Sequence, residues 1–325
     1  MRIALDALGT DRAPAPEVAG ALRSVEADRE LRVVLVGDAT VACEHPRVEV
    51  VHAGERITMD DHPAQVVRGK PRSSMHVAME LVARGDADAF VSAGNSGAVL
   101  ALAATRLKLP GSVKVRPAVV TVLPTPAGPL VLCDAGANVE PKATAIAQFG
   151  ALGAAYDRAV HGRERPRVGL LANGREPGKG TALTREAHAL LAARAAAGGF
   201  EFVGYVEGSD LFRGVVDVVA TDGFTGNVVL KTCEGIAEGM FGLVRQELER
   251  TPLVRLGAAL VAPALRGVAK KIDYTEVGGA LLAGVARPVV LAHGRSDDVA
   301  IASAIRAAAT FVARDLAGQL AATFT

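Results

Sequence analysis

Five short loops in this 325-residue chain combine glycine with side chains that can hold or polarise an anion. Each loop follows a short apolar run, and together they carry carboxylates, amides, serine, histidine and a nearby lysine. In parallel α/β sheets the ligand binds beyond the carboxyl ends of the strands, so polar loops at such ends indicate a binding or catalytic site. The five loops are residues 6–11, 92–98, 134–138, 221–227 and 293–297.

The loop at 92–98 has the composition of an anion site. Gly94 and Gly97 let a ligand approach the backbone, and Asn95 and Ser96 precede a predicted helix over 99–107. A helix start offers free N–H groups and the positive end of the helix dipole, both of which favour phosphate. The alternative is that Asn95 or Ser96 simply caps the helix.

Two further loops place a carboxylate, glycine and an amide side by side. Asp134 and Asn138 follow one predicted strand, and Asp222 and Asn227 follow another. Lys231 comes four residues after Asn227, so it shares that face of the predicted helix and can reach the same loop. Because the same residue types recur at several strand ends, they indicate a functional site more strongly than either loop does by itself.

The first and last loops have ordinary alternatives. Asp6 begins a loop in which Gly9 frees the backbone to turn, and the same sequence suits a simple turn with an acidic cap. His293 stands beside Arg295 and Ser296 after the final predicted strand, where it is either structural or catalytic. The three strand-end carboxylates could instead hold a metal ion, although the histidines lack metal-ligand spacing and we expect no metal or cofactor.

Several familiar motifs are incomplete. Residues 174–180 resemble a phosphate-binding P-loop, but Asn173 stands at its first glycine and Gly180 at its closing serine or threonine. Residues 94–98 resemble the GxSxG nucleophile elbow, which Ala98 breaks. No GxGxxG follows the first strand, and the histidines lack metal-ligand spacing. These departures together disfavour an ATPase, a classical Rossmann dehydrogenase and a zinc enzyme.

The elements that must position these loops are alternating strands and helices. Strand candidates are residues 3–6, 31–37, 48–52, 87–92, 118–123, 130–134, 168–172, 201–205, 215–221 and 289–293. Many are apolar on both sides of the pleat, which is typical of a sheet covered on both faces. Helical periodicity lies between them, including 143–156 and a C-terminal stretch through 301–320. The alternation predicts a mostly parallel α/β sandwich, and no linker divides it, so we expect one domain over 1–325.

Composition narrows the function classes and the compartment. The chain has 36 basic and 35 acidic residues, 4% aromatics and no tryptophan, which argues against a nucleic-acid partner. Cys43, Cys133 and Cys233 share no CxxC spacing, which indicates a reducing compartment. The start has no signal-peptide pattern, and the longest uncharged runs, 89–105 and 117–133, do not suit a spanning helix. We therefore expect a cytoplasmic protein that does not span a membrane.

One segment, 251–271, is basic and amphipathic and contains no acidic residue. Pro252 and Pro263 predict two short helices in place of one long one. Either the pair closes the core or packs on another subunit, or it lies on an anionic lipid surface.

The loops, in their order, resemble those of the PlsX family of bacterial acyl-ACP:phosphate acyltransferases. The matching segments are 6–14, 73–75, 92–98, 134–139, 222–228 and 278–282, within a similarity that runs from residue 1 to about 303. Thr10 and Ser96 stand where the family usually has Gly and Thr, and residues 173–177 replace its acidic stretch.

The resemblance implies transfer of a long-chain fatty acyl group from acyl carrier protein to inorganic phosphate, which gives an acyl phosphate for phospholipid synthesis. It implies a three-layer α/β/α fold related to isocitrate and isopropylmalate dehydrogenases, a homodimer, and peripheral contact with the inner face of the cell membrane. A membrane acyltransferase is expected to use the product. The projecting helical pair is expected at 245–275, with lipid contacts through Leu253, Leu256, Leu260, Val261, Leu265 and Arg266.

Phosphate is already an anionic nucleophile, so such a site must hold it, orient it on the thioester carbonyl and stabilise the tetrahedral oxyanion. The residues predicted to bind the phosphate and the thioester are Asp6, Gly94, Asn95, Ser96, Gly97 and Asp134. Lys231, with Asn138 or Asn227, is predicted to stabilise the oxyanion. His293 or Asp222 is predicted to handle the proton.

Three alternatives remain open. A Ser96 nucleophile with Asp222 and His293 would give a hydrolase or thioesterase whose triad runs in the order Ser, Asp, His. A short-chain phosphotransacetylase of the same fold would use coenzyme A thioesters. A non-catalytic membrane scaffold would use only the basic helical segment.

Overall fold

The computed structural model describes residues 1–109, 115–272 and 278–324, without the side chains of residues 64, 196–198, 266 and 269–272. Its strands are β1 (Arg2–Asp6), β2 (Arg32–Gly37), β3 (Val48–His52), β4 (Ala89–Ser92), β5 (Ala118–Thr125), β6 (Gly128–Cys133), β7 (Arg167–Leu171), β8 (Glu201–Val206), β9 (Val218–Ala220), β10 (Ala280–Ala283) and β11 (Val289–Leu291). Its α-helices are α1 (Ala15–Ala27), α2 (Pro63–Gly69), α3 (Ser74–Arg84), α4 (Ser96–Arg106), α5 (Ala143–His161), α6 (Ala182–Gly198), α7 (Gly223–Leu248), α8 (Pro252–Ile272), α9 (Asp298–Ala313) and α10 (Leu316–Ala322). A 3-10 helix covers Gly208–Phe212. All ten predicted strands are present.

The sequence analysis missed the short strand β10. Gly278 and Gly279 precede it at positive φ values of 86° and 84°, which glycine adopts without steric cost. The strand has four residues, and alanine at both ends gives it no β-branched pattern. Its absence from the prediction matters because β10 reverses the strand direction in the middle of the sheet.

Strand β1 shows why the sheet is covered on both faces. Ile3 and Leu5 pack into one hydrophobic core, while Ala4 between them packs into the other. Successive side chains of a strand point to opposite faces, so an apolar strand must be covered on both. The helices α1, α5, α6, α9 and α10 contribute to the first core and α2, α3 and α4 to the second, which gives three layers.

Within the described part of the chain, one sheet contains eleven strands in the order β3-β2-β1-β4-β11-β10-β5-β6-β9-β7-β8. β10 pairs antiparallel with β11 and β5, and β5 pairs antiparallel with β6. The remaining pairings of the named strands are parallel. The sheet is therefore mostly parallel, as predicted, but β3-β2-β1-β4-β11 and β6-β9-β7-β8 run in opposite directions.

The register of the sheet brings the carboxyl ends of both halves to one level. In the first half, Leu291 ends β11 and pairs with Ser92, which ends β4. Across β10 and β5, Val290 lies level with Cys133, which ends β6. Cys133 in turn pairs with Ala220, which ends β9. Loops from four strand ends therefore meet in the middle of the molecule although the strands point in opposite directions.

Two helical predictions differ from the structure. The periodic stretch 301–320 forms two helices, because Asp315 at a φ of 46° interrupts the chain between α9 and α10. Pro263 lies inside α8, so the predicted division there into two short helices is wrong. The helical pair is α7 with α8, and residues 273–275 of the predicted 245–275 segment lie outside the described residues.

The pair formed by α7 and α8 exposes an unusual number of large apolar side chains. Leu253, Leu256 and Leu260 are 79%, 68% and 82% exposed, and they lie on one face of α8 at helical spacing. In the described residues, no helix is long and apolar enough to cross a bilayer.

Candidate active site

A cavity of about 210 Å³ opens where the loops from the two sheet halves meet. The start of α4, the first turns of α7 and the loop after β11 surround it, and β5 and β10 form much of its apolar wall. Its polar lining consists of Ser96, Thr121, Asn227, Lys231, Glu234, His293 and Ser296. Four of the predicted site residues, Ser96, Asn227, Lys231 and His293, therefore come together from three separate segments.

Asn95 fixes the start of α4 and thereby presents Ser96. Its Oδ1 accepts from the N–H of Ala98 at 3.0 Å, and its Nδ2 donates to the carbonyl oxygens of Thr58 and Asp61 at 3.1 Å each. These bonds occupy the amide, so Asn95 is a helix cap, which was the alternative interpretation. Ser96, the first residue of α4, lines the cavity beside the positive end of the helix dipole.

Gly94 and Gly97 allow close packing around this loop. A Cβ at Gly97 would lie 2.6 Å from Cγ of Pro63, so that position requires glycine for α2 to approach α4. The N–H of Gly94 donates to Oγ of Ser92 at 3.0 Å, which ties the loop to the end of β4.

Asp6 lies fully buried beneath the same loop, outside the cavity lining. Its carboxylate accepts from Oγ of Ser74 at 2.6 Å, from Oγ of Ser92 at 2.8 Å and from the N–H of Leu8 at 3.2 Å. Burial raises the pKa of Asp6, and the bonds from the two serines oppose that rise. Because Ser92 also accepts from Gly94, Asp6 supports the 92–98 loop from below and does not face the cavity.

Asp134 and Asn138 organise the loop after β6 in the same manner. Oδ1 of Asp134 accepts from the N–H groups of Val119, Gly136 and Ala137 at 2.9, 3.1 and 2.9 Å. Its Oδ2 accepts from the backbone and side-chain nitrogens of Asn138 at 2.7 and 2.8 Å.

The amide of Asn138 is fully used by hydrogen bonds to Asp134 and to the segment that precedes β5. Its Nδ2 also donates to the carbonyl oxygen of Pro117 at 2.8 Å, and its Oδ1 accepts from Nε of Arg116. This arrangement contradicts the prediction that Asn138 offers a donor to an oxyanion. Asn227, the other predicted candidate, lines the cavity.

Asp222 caps the start of α7, the helix that lines one side of the cavity. Its carboxylate accepts from the N–H and Oγ1 of Thr225, both at 2.8 Å, so it is the N-cap. Asn227, Lys231 and Glu234 then lie at helical spacing on the face that lines the cavity. Nζ of Lys231 lies 2.7 Å from Oε2 of Glu234, a residue that the sequence analysis did not select.

His293 contributes a neutral imidazole to the opposite wall. Its Nδ1 accepts the N–H of Arg295 at 3.1 Å, so Nε2 carries the proton. Burial lowers the pKa of His293, and the positive charge of Lys231 lowers it further. A Ser-His-Asp triad needs a carboxylate on Nδ1–H of the histidine, whereas here Nδ1 is an acceptor and Asp222 is bound to Thr225.

The three strand-end carboxylates are therefore engaged by hydrogen bonds within the protein. Asp6, Asp134 and Asp222 each accept backbone N–H groups of nearby residues. Among the residues that the structure describes, no group of three or more His, Cys, Asp or Glu side chains is arranged to hold a metal ion.

The sequence pattern of a family described as "Fatty acid synthesis protein" matches residues 1–319. The chain belongs to this family. The phosphate acyltransferase of Myxococcus xanthus is 48% identical over 95% of this chain and 89% of that protein. The phosphate acyltransferase of an Anaeromyxobacter species is 46% identical over 94% of this chain and 86% of that protein. The predicted membership of the PlsX family is thereby confirmed.

Solved structures support the architecture. A phosphotransacetylase from Streptococcus pyogenes superposes with a TM-score of 0.59 at 17% identity, covering 96% of this chain and 94% of that chain. A 4-hydroxythreonine-4-phosphate dehydrogenase from Klebsiella pneumoniae gives 0.52 at 17% identity, covering 96% and 99%. At these identities the likeness concerns the fold, and it confirms the three-layer, dehydrogenase-like α/β/α sandwich.

Proposed function

We propose that this protein transfers a long-chain fatty acyl group from acyl carrier protein to inorganic phosphate and so forms an acyl phosphate. The observation that carries the proposal is the convergence of Ser96, Asn227, Lys231 and His293 in one cavity at a helix start. The name that the curated relatives bear, phosphate acyltransferase, agrees with it. The acyl carrier protein and the chain length follow from the family resemblance.

The proposed phosphate position lies between the start of α4 and Lys231. The free N–H groups and dipole of the first turn of α4, the hydroxyl of Ser96 and the ammonium of Lys231 all favour an anion. A phosphate oxygen attacks the carbonyl carbon of the thioester. The carbonyl oxygen then becomes an oxyanion, for which Lys231 and the amide of Asn227 are the proposed donors.

The carbon–sulfur bond then breaks, and the electron pair leaves with sulfur. The thiol of the leaving group has an ordinary pKa of ~8.5, so the thiolate is a good leaving group. A hydrogen bond to the sulfur is therefore enough to assist its departure, and full protonation is not required. In our proposal the Nε2–H of His293 supplies that hydrogen bond. The network of Asp6, Asp134 and Asn138 holds the loops in place and makes no contact with substrate.

We further propose that the protein works as a homodimer. On α7, Gly235, Gly239 and Gly242 share one face, and a Cβ built at any of them meets nothing within 4 Å. Val228 and Leu243 nearby are 50% and 65% exposed. An open face of small residues flanked by apolar side chains suits close approach of a helix from a second copy.

The proposed membrane contact uses the exposed apolar face of α8. Leu253, Leu256, Leu260 and Val261 are available for it, whereas Leu265 faces α7 in a groove and the side chain of Arg266 lies outside the described residues. In this proposal residues 1–325 form one catalytic domain, and α7 and α8 project from it toward the lipid surface. It lies at the inner face of the cell membrane and delivers acyl phosphate to a membrane acyltransferase.

The experiment that tests the proposed function follows radiolabelled inorganic phosphate into an organic-soluble product in the presence of long-chain acyl carrier protein. We expect Ser96→Ala to raise the KM for phosphate and leave measurable turnover, and the surface variant Ser209→Ala to behave as wild type. Complete loss of thioester cleavage in Ser96→Ala, with fluorophosphonate labelling of the wild type, would support the hydrolase instead. Equal turnover of acetyl-coenzyme A would support a short-chain phosphotransacetylase.

A further inference from the structure

Two hydroxyl-bearing residues of the cavity lining, Thr121 and Ser296, have no role in the proposed reaction. Ser296 is only 7% exposed, and within the described part of the chain its Oγ has no hydrogen-bond partner, whereas Thr121 is less deeply buried. Leaving a buried hydroxyl unpaired costs free energy, so such groups are normally hydrogen-bonded. In the wall of a cavity the partner can come from the ligand, and Ser296 is therefore a candidate ligand contact.

A tight turn fixes the position of Ser296. Its N–H donates to the carbonyl oxygen of His293 at 2.9 Å, and the N–H of Arg295 donates to Nδ1 of His293 at 3.1 Å. The N–H of Asp11 donates to the carbonyl oxygen of Gly294 at 2.9 Å, which ties the turn to the loop after β1. These bonds hold the turn in place, and it presents Ser296 and His293 to the cavity together.

The sheet places this turn beside the start of α4. Leu291 ends β11 and pairs with Ser92, which ends the parallel strand β4. The two loops therefore leave neighbouring strands at the same level and in the same direction, one leading to Ser96 and the other to Ser296. The proposed oxyanion donors lie on α7, which follows β9 in the other half of the sheet. Ser296 thus belongs to the side of the cavity that carries the start of α4, where the phosphate is proposed to bind.

The turn also leads into a second helix start. α9 begins at Asp298, and Ala300 in its first turn lines the cavity. The first N–H groups of a helix lack intrahelical acceptors and its dipole is positive at this end, so a second helix start at the cavity favours an anion. Oδ1 of Asp297 accepts from the N–H of Ala300 at 2.9 Å, and the carboxylate of Asp298 accepts from Arg23 at 2.7 Å. Both acids are therefore bound within the protein, and Ser296 is the polar side chain that this helix start presents to the cavity.

We propose that Ser296 is a phosphate ligand of the transfer reaction: its hydroxyl donates to one non-attacking oxygen of inorganic phosphate while Ser96 donates to another. This inference rests on the proposed function, because it assigns both hydroxyls to the phosphate acceptor of that reaction. Two oxygens held by the starts of α4 and α9 leave a third to attack the thioester carbonyl in a fixed orientation. Ser296 keeps its proton throughout, so it contributes binding and orientation and takes no part in proton transfer.

The first test compares the steady-state kinetics of Ser296→Ala with those of the wild type. A hydrogen bond to a charged group is among the stronger ones, so we expect the KM for phosphate to rise by about tenfold or more. The KM for palmitoyl-ACP should change by less than about twofold, since the acyl donor does not contact this hydroxyl in the proposal. Ser303→Ala removes another buried hydroxyl from α9, outside the cavity lining, and should keep both values.

The second test measures phosphate binding without an acyl donor. Inorganic phosphate should raise the melting temperature of the wild type relative to chloride at equal ionic strength, because a ligand that binds the folded state stabilises it. Ser296→Ala should lose at least about half of this rise. In chloride the variant should melt no lower than the wild type, since the hydroxyl has no partner among the described residues to lose.

The outcomes separate this inference from the proposed function. If the wild type forms no acyl phosphate from any acyl donor, the proposed function fails. If it forms acyl phosphate but Ser296→Ala keeps the wild-type KM for phosphate and the phosphate-induced rise in melting temperature, the hydroxyl is not a phosphate ligand and the inference is overturned. A raised KM for palmitoyl-ACP alone would also overturn it, because the hydroxyl would then serve the thioester.

Discussion

The ammonium group of Lys231 lies 2.7 Å from the carboxylate of Glu234, one turn further along α7. Both side chains line the cavity. Lys231, the residue proposed to bind phosphate, is therefore already paired with a carboxylate before any substrate binds. Glu234 holds Lys231 in position, and in the proposed mechanism it also competes with phosphate for the same positive charge.

Replacing Glu234 with Gln should strengthen phosphate binding. The amide keeps the size and a hydrogen-bond acceptor but removes the negative charge, so Lys231 becomes available to the incoming anion. The pair is part-exposed, so we expect the KM for phosphate to fall by up to about fivefold. Initial rates over a phosphate series measure this, and a higher KM would show that Glu234 supports phosphate binding.

Replacing Lys231 with Met should remove a main source of transition-state stabilisation. We expect kcat/KM for acyl-phosphate formation to fall by about a hundredfold or more, the usual effect of deleting an oxyanion donor. Lys108→Met, at an exposed lysine outside the cavity lining, is the matched control. A loss smaller than about threefold would exclude Lys231 from the reaction.

The charge of Lys231 should also be visible in the titration of His293. Burial lowers the pKa of His293 first and Lys231 second, so the imidazole stays neutral to lower pH than an ordinary histidine. Lys231→Met removes the repulsion that opposes protonation, and the pKa of His293 should therefore move upward. Nitrogen NMR of the histidine side chains measures the shift, and the neutral form should show its proton on Nε2. A downward shift, or a proton on Nδ1, would contradict the geometry.

Asp6 should affect both stability and phosphate binding although it lies outside the cavity lining. Asp6→Asn places an N–H₂ group among the donors of Ser74, Ser92 and Leu8, so at least one buried bond is lost. We expect the free energy of unfolding to fall by about 1–3 kcal/mol. Urea unfolding measures this loss, and the exposed Asp86→Asn is the control. A raised KM for phosphate with little change in kcat would identify Asp6 as a positioning residue.

The apolar face of α8 should control attachment to lipid. The double variant Leu256→Glu and Leu260→Glu replaces two exposed leucines by charges, and we expect binding to phosphatidylglycerol vesicles to weaken at least about tenfold. Val203→Glu, at an exposed valine on β8, controls for added negative charge. Unchanged vesicle sedimentation in the double variant would remove α8 from the proposed membrane contact.

The sequence predicted the strands better than the roles of individual carboxylates. Short apolar runs rich in β-branched residues located every described strand except β10, whose four residues are too few and too poor in β-branched residues to show the pattern. The loops at strand ends were located as well. Their meeting in one place depends on the antiparallel strands β5 and β10, which strand–helix alternation does not reveal.

Within the site, residue type alone could not distinguish the residues that hold the loops in place from those that line the cavity. Asp134 and Asn138 are bound to each other and to the start of β5, whereas Asn227 faces the cavity, although all three follow a strand beside glycine. The difference depends on which backbone N–H groups each loop must satisfy, and this depends on the folded path of the chain. Glu234 had a signal in the sequence, because it follows Lys231 at the three-residue spacing of a helical ion pair.

The most direct test of the central claim measures the release of carrier thiol from palmitoyl-ACP by the wild-type protein, with and without inorganic phosphate. We predict that thiol release requires phosphate and is matched mole for mole by acyl phosphate, with palmitoyl-coenzyme A a poorer donor. Thiol release without phosphate, accompanied by free fatty acid, would contradict the account, because water would then be the acceptor and the cavity would not be a phosphate site.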